Sequence, residues 1–198
     1  MREIEVLSSI EESKFKSLIE SFKTKYEYKF QKRLGFILAS YQKSNPIDTR
    51  IKITNWKIHV VQKVGEVTSK YRNSEEMNLD VNLSPEKLLD LYKILKNLGK
   101  SVVGFTTPIQ QYENHLFETE YAEVKFYKQF NSINSFYGFE VELKDHSMNL
   151  NHVVMNLGLV IDNVERTPEY WYDYDKKYNI DSESISYEEI LNLIRKYL

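Results

Sequence analysis

The chain has 198 residues, the length of one ordinary domain with a core of its own, and its 41% hydrophobic and 28% charged residues exclude a disordered chain. A formal net charge of -2, from 27 basic against 29 acidic residues, excludes the basic excess of a broad DNA-binding surface, so any anion site has to be a local cluster. No apolar run approaches the roughly 20 residues that span a bilayer, and with no cysteine there are no disulfides, no thiolate chemistry and no cysteine-based zinc site.

The charged start, Met1 to Ser9, lacks the apolar stretch of a secretory leader, and a cytoplasmic location is expected. Glu3-Ile4-Glu5-Val6 alternates and reads as a strand. A helix follows, with Ser9 as the expected cap, Glu12 completing a capping box, and Phe15, Leu18, Ile19 and Phe22 on one face. Tyr26 to Tyr41 reads as one or two strands around Gly35, followed by a turn at Asn45-Pro46. Asp48–Thr54 and Trp56–Val64 alternate as two strands, with Asn55 near the turn, and a polar strand runs from Lys70 to Leu83. Ser84 and Pro85 then open a helix with a Leu88, Leu91, Leu95, Leu98 stripe, closed by Gly99. Strands are expected near Val102–Phe105, Ile109–Tyr112, Tyr121–Phe130 and Tyr137–Leu143. A helix beginning at Asp145 or Ser147 is stopped by Gly158, and a capped helix runs from Ser186 to Tyr197 with Glu189 in the capping-box position. Long βαβ alternation is absent, which favours an antiparallel sheet or barrel with helices outside.

The residues with chemistry are two acidic pairs near opposite ends of the chain. Spacing of two in a strand puts Glu3 and Glu5 on one face, and likewise Glu140 and Glu142, with Ile4 and Val6, or Phe139, Val141 and Leu143, on the other. One such pair is commonly the wet face of a sheet. Four converging carboxylates repel, and a hard divalent cation that binds oxygen relieves the repulsion. Arg50 and Lys52 share a strand face, Lys63 ends the next strand, and Lys70, Arg72, Glu76 and Asp80 share one parity in the strand after that. Cations beside a metal site suit a polyphosphate, for which arginine offers forked hydrogen bonds. The four histidines show no metal-ligand spacing, and the glycine-rich phosphate-loop, dinucleotide and nucleophile-elbow motifs are absent.

In chain order these features are an E-x-E strand, a helix, an R-x-[RK] strand, a strand ending in a lysine, a helix ending in Leu-Gly, a late strand carrying Glu140 and Glu142, and a final helix. The order resembles the CYTH superfamily over residues 1 to 175. That superfamily includes class IV adenylyl cyclases, thiamine triphosphatases and inorganic triphosphatases. Fungal and large-DNA-virus RNA 5′-triphosphatases are related to it through the same tunnel fold. Thr167 to Tyr174 is similar to the segment that often ends such domains. The chain departs from the pattern at Leu7, where the family has lysine, and at Ile109, where Thr107–Tyr112 keeps only Tyr112 of a K-x-R-x-x-Y motif. Glu76 also stands two positions late for the R-x-E motif begun by Arg72.

The resemblance implies an α+β fold, a single domain over residues 1–198 built as an eight-stranded antiparallel barrel with helices packed outside. It implies that Glu3, Glu5, Glu140 and Glu142 hold Mg²⁺ or Mn²⁺ and serve catalysis, and that Arg50, Lys52, Lys63 and Arg72 grip the substrate. The implied function is a metal-dependent triphosphatase acting on tripolyphosphate, a nucleoside triphosphate or an RNA 5′ end, without membrane partners. Its rivals are a cyclase forming a cyclic nucleotide and a barrel that binds a nucleotide or polyphosphate without turnover.

Overall fold

The computed structural model describes residues 2–42, 46–66 and 68–198. Its strands are β1 (Arg2–Ser9), β2 (Glu27–Ser40), β3 (Ile47–Thr54), β4 (Lys57–Glu66), β5 (Tyr71–Val81), β6 (Phe105–Thr106), β7 (Ile109–Glu118), β8 (Ala122–Phe130) and β9 (Ser135–Leu143). Eight of them close an antiparallel barrel in the order β2-β3-β4-β5-β1-β9-β8-β7, with β7 returning to β2, while the two-residue β6 adds to the end of β2. Helices α1 (Glu12–Lys23), α2 (Pro85–Gly99), α3 (Leu150–Asn156), α4 (Pro168–Tyr178) and α5 (Tyr187–Tyr197) lie outside the barrel. The architecture is the α+β barrel that the resemblance implies. Among the described residues no helix is long and apolar enough to cross a membrane.

The two-residue period of the strands explains the layering. On β9, Phe139, Val141 and Leu143 point outward and join Val6, Phe117, Val124 and Phe126 beneath Phe15, Ile19 and Phe22 of α1 and Val153 and Val154 of α3. On the other flank, Leu34, Phe36, Ile51, Ile53 and Ile58 pack beneath Leu88 and Tyr92 of α2 and Ile190 and Ile194 of α5. With their outward neighbours buried in these layers, the intervening polar residues face the lumen. A third cluster closes one end of the barrel, where Trp171 and Tyr174 of α4 pack on Leu7 with Tyr41 and Phe136 beside them. Gly138 permits tight packing at that end, because a Cβ there would lie 2.7 Å from the Tyr127 ring and 2.8 Å from the Ser8 carbonyl.

Several local expectations are corrected. Ser9 does not cap α1. It ends β1 and gives its backbone N–H and hydroxyl to Asp162, leaving Glu11 at the cap position with no side-chain cap bond. Trp56 belongs to the turn between β3 and β4, while the region around Gly35, expected as one or two strands, is one continuous strand. Leu98 is exposed, because the buried face of α2 is set by Leu88, Tyr92, Lys96 and Gly99, and Leu98 falls roughly 120° round from Tyr92. Neither Asp145 nor Ser147 starts a helix: Asp145 accepts hydrogen bonds from the Ser147 N–H and hydroxyl, and Asn149 caps α3. Helix α4 was not anticipated, although Thr167-Pro168-Glu169 repeats the Ser84-Pro85-Glu86 start of α2. The Ser186–Glu189 capping box is formed as expected. Asn45 of the expected Asn45-Pro46 turn lies outside the described residues.

A candidate metal and anion site in the barrel lumen

The lumen holds a cavity of about 170 Å³, far more than the ~10–15 Å³ that one water needs. In the ring of eight strands, β2 and β3 stand opposite β1 and β9. The acidic residues of β1 and β9 therefore face the basic residues of β2 and β3 across the interior.

On the acidic wall, register pairs Glu5 with Glu142 and sets Glu140 opposite Lys125 on β8. One carboxylate oxygen each of Glu5, Glu140 and Glu142 lies within 4.8 Å of the others. Glu5 is buried, and its Oε2 makes no hydrogen bond. Glu3 stands outside this cluster and is engaged by Lys63, whose Nζ lies 2.5 Å from Glu3 Oε2 and 3.3 Å from Glu5 Oε1. Lys63 is 8% exposed, and despite burial the Glu5, Glu140 and Glu3 charges raise its pKa. Arg72, also buried, reaches Glu5 at 3.5 Å with its guanidinium 5.1 Å from the Trp171 ring centre. Lys125 is ion-paired with Glu140. Burial, followed by Glu140, Glu3 and Glu5, pushes the Glu142 carboxyl up to about 8.

On the basic wall, Arg50 grips Asp48 with Nε–Oδ1 at 2.6 Å and Nη2–Oδ2 at 2.7 Å. Against burial, this pairing holds the Asp48 carboxyl at about 2. Arg33 packs 4.6 Å from the Tyr112 ring centre, and burial lowers its pKa. Lys52 is 3.8 Å from Glu76, and burial with the nearby Arg33 and Arg50 charges presses its pKa down to about 7. Cations crowded together in a low-dielectric wall are stabilised by an anion.

All eight candidate residues therefore lie on the inner wall, in differing situations. Glu5, Glu140 and Glu142 cluster, Glu3 and Lys63 neutralise each other, Arg50 is committed to Asp48, and Lys52 is the most weakly paired cation. The sequence reading missed Arg33, Glu123, Lys125, Tyr127 and Asp175, which also line the lumen. Glu123 and Lys125 were readable, because Ala122-Glu-Val-Lys-Phe alternates as Phe139-Glu-Val-Glu-Leu does. Ile109, in the slot of the family's arginine, is fully buried outside the barrel, while its neighbours Gln110 and Tyr112 face inward.

The shifts predict a pH response. The raised carboxyls of Glu142 (about 8) and Asp175 (about 7, through burial) contribute most stability at low pH and lose it as pH rises through those values. Glu123, raised by burial, acts in the same sense, while half-buried His115, lowered by burial, works against them. Lys52, lowered from 10.5 to about 7, gives a stability that rises with pH only above about 7. Metal-free protein should therefore lose stability between pH 5 and 7 and change less from 7 to 8. Denaturant melts with chelator across this range check it; a midpoint that climbs from pH 5 to 7 would refute the assignment.

No family model and no curated protein matches the sequence. Solved structures do. A putative adenylyl cyclase from Hippeastrum with a dominant triphosphatase activity superposes with a TM-score of 0.59 at 14% identity, covering 86% of this chain and 96% of that one. The Mimivirus capping enzyme triphosphatase gives 0.55 at 12% identity, over 81% and 90% of the two chains. A chain of the Schizosaccharomyces pombe Mediator head module gives 0.53 at 12% identity, over 83% and 100%. These likenesses show the fold, the eight-stranded antiparallel barrel with helices outside that this chain shares with them.

Proposed function

We propose that this chain, as one domain over residues 1–198, is a divergent cytoplasmic member of the CYTH superfamily that binds a triphosphate with Mg²⁺ or Mn²⁺ and hydrolyses its terminal phosphoanhydride. The carrying observation is the opposition of two charged walls, Glu5, Glu140 and Glu142 on one side and Arg33, Arg50 and Lys52 on the other. An all-carboxylate donor set with an unbonded buried oxygen on Glu5 fits a hard, oxygen-seeking cation. Bound there, such a cation would polarise a phosphoryl oxygen and lower the pKa of water. Glu5, Glu140 and Glu142 would hold it. Glu3 fixes Lys63 beside them, and Arg72, anchored on Trp171, orients Glu5. Lys52 and Arg33 would bind phosphate oxygens and stabilise charge on the transferring group, with Arg50 supporting them from its Asp48 pair.

Hydrolysis is favoured over cyclisation by the dominant triphosphatase activity of the Hippeastrum protein, which shares the fold. A barrel without turnover is the second reading, favoured by the engagement of Lys63 and Lys125 in internal ion pairs. Phosphate release from tripolyphosphate, ATP and triphosphorylated RNA with each metal separates them: binding without release supports the second reading, and neither binding nor release rejects both. Lys52→Ala should weaken triphosphate binding roughly ten- to a hundredfold, the worth of a charge-assisted contact, while holding or raising the melting midpoint by relieving cation crowding. Unchanged affinity in a calorimetric titration would remove Lys52 from the site.

A further inference from the structure

The turn joining β3 to β4 is two residues long, Asn55 and Trp56, with Thr54 paired to Lys57. Both residues have positive φ, 51° and 61°, the type I′ geometry of tight hairpins. Asparagine suits the first position, and glycine is the usual occupant of the second. A bulky side chain there is a strained outlier, of the kind that collects at ligand-binding positions. Trp56 is moreover 74% exposed, and among the described residues no ring contact or hydrogen bond engages its indole. Packing therefore does not account for a tryptophan here.

The position of the turn suggests what does. β3 starts at the closed end, where the Asp48 charge acts on Tyr41 and on Asp175 of α4. It passes Arg50 and Lys52 on the inner wall and ends at Thr54, roughly 7 Å beyond Lys52 along the strand. Thr54 pairs on its other side with Arg33, the lumen cation that has no carboxylate partner among the described residues. Trp56 thus stands at the barrel end away from the α4 cluster, just past the cations assigned to phosphate.

We infer that Trp56 is a stacking platform for the base of a nucleoside 5′-triphosphate whose phosphates enter the lumen, so that the substrate carries a nucleoside and is not bare tripolyphosphate. This rests on the reading of the lumen as a triphosphate site. An exposed indole offers a flat apolar face to any base, so the preference is for a base rather than for one base in particular.

The test is calorimetric titration of wild type, Trp56→Gly and Trp56→Phe with ATP, a triphosphorylated oligonucleotide and tripolyphosphate, each with Mn²⁺. Trp56→Gly should weaken binding of one or both nucleoside-bearing ligands by roughly tenfold and leave tripolyphosphate affinity unchanged. Which of the two is weakened identifies free nucleotide or RNA end as the source of the base. Trp56→Phe should bind like wild type. Trp56→Gly should also melt higher than wild type, because Asn-Gly suits this turn, so lost affinity cannot be blamed on lost folding. Equal affinities for the nucleoside-bearing ligands in wild type and Trp56→Gly, with tripolyphosphate still bound, would overturn the stacking role and leave the lumen reading standing. An equal loss for all three ligands would make Trp56 structural. No binding of any ligand to wild type would end both readings together.

Discussion

Lys63→Ala should destabilise the protein by about 3–5 kcal/mol, because it strands the buried Glu3 carboxylate and leaves Glu5 with Arg72 alone. Lys63 is the near partner of Glu3 at 2.5 Å and of Glu5 at 3.3 Å, and both acids are almost fully buried. Removing one member of a buried pair costs far more than the pair itself contributes, since the charge left behind has neither water nor a counter-ion. For a chain of this size the loss amounts to roughly 6–20 °C in the melting midpoint. Lys176→Ala, at an exposed site in α4, should leave the midpoint nearly unchanged. Adding Glu3→Gln to Lys63→Ala should recover part of the loss by deleting one stranded charge. A Lys63→Ala midpoint within 2 °C of wild type, read by calorimetry, would mean the lysine is a solvated phosphate ligand rather than an internal counter-ion.

Divalent metal should stabilise the wild type, and Glu142 should be the residue on which that response turns. A cation that binds only the folded state at one hundred times its Kd contributes about 2.7 kcal/mol, or roughly 5–10 °C here. Glu142 has no ion pair among the described residues, and its carboxyl is raised to about 8 by burial and by Glu140, Glu3 and Glu5. Glu142→Gln should therefore hold or raise metal-free stability while abolishing most of the metal shift. Glu140→Gln should behave differently. It also removes the partner of Lys125, and against burial Lys125 and Lys63 hold the Glu140 carboxyl well below the usual range, so this variant should lose stability without metal. Thermal melts of the three proteins with Mn²⁺ and with chelator check both statements. Equal metal shifts in wild type and Glu142→Gln would place the cation elsewhere.

Strand alternation made the barrel wall legible, because each E-x-E and R-x-K pair is interleaved with residues that the helices bury. The capping signals of α2 and α5 were equally local and were formed as read. The sequence did not reveal how inward-facing residues divide among themselves. Arg50, Lys52 and Lys63 look alike as basic residues in strands, yet β3–β4–β5–β1 pairing commits Lys63 to the acidic pair on β1, while Arg50 takes Asp48 two residues away on its own strand. The commitment of Lys63 depends on which strands meet around the ring, a long-range property that spacing does not encode. Ser9 shows the same limit. Its local context marks a helix cap, but Asp162, 153 residues on, takes its hydroxyl and amide. Arg33 was hidden because the long β2 run shows little alternation, being buried on both faces from Leu34 onward.

On the proposed reading, the acidic and basic walls bind one ligand jointly, metal on one side and triphosphate on the other. Calorimetric titration of tripolyphosphate into wild-type protein, with Mn²⁺ and then with chelator, tests it most directly. A single site is expected, whose affinity falls at least tenfold in chelator and is weakened in both Glu142→Gln and Lys52→Ala, one from each wall. Binding that ignores the metal, or that survives both substitutions intact, would contradict it.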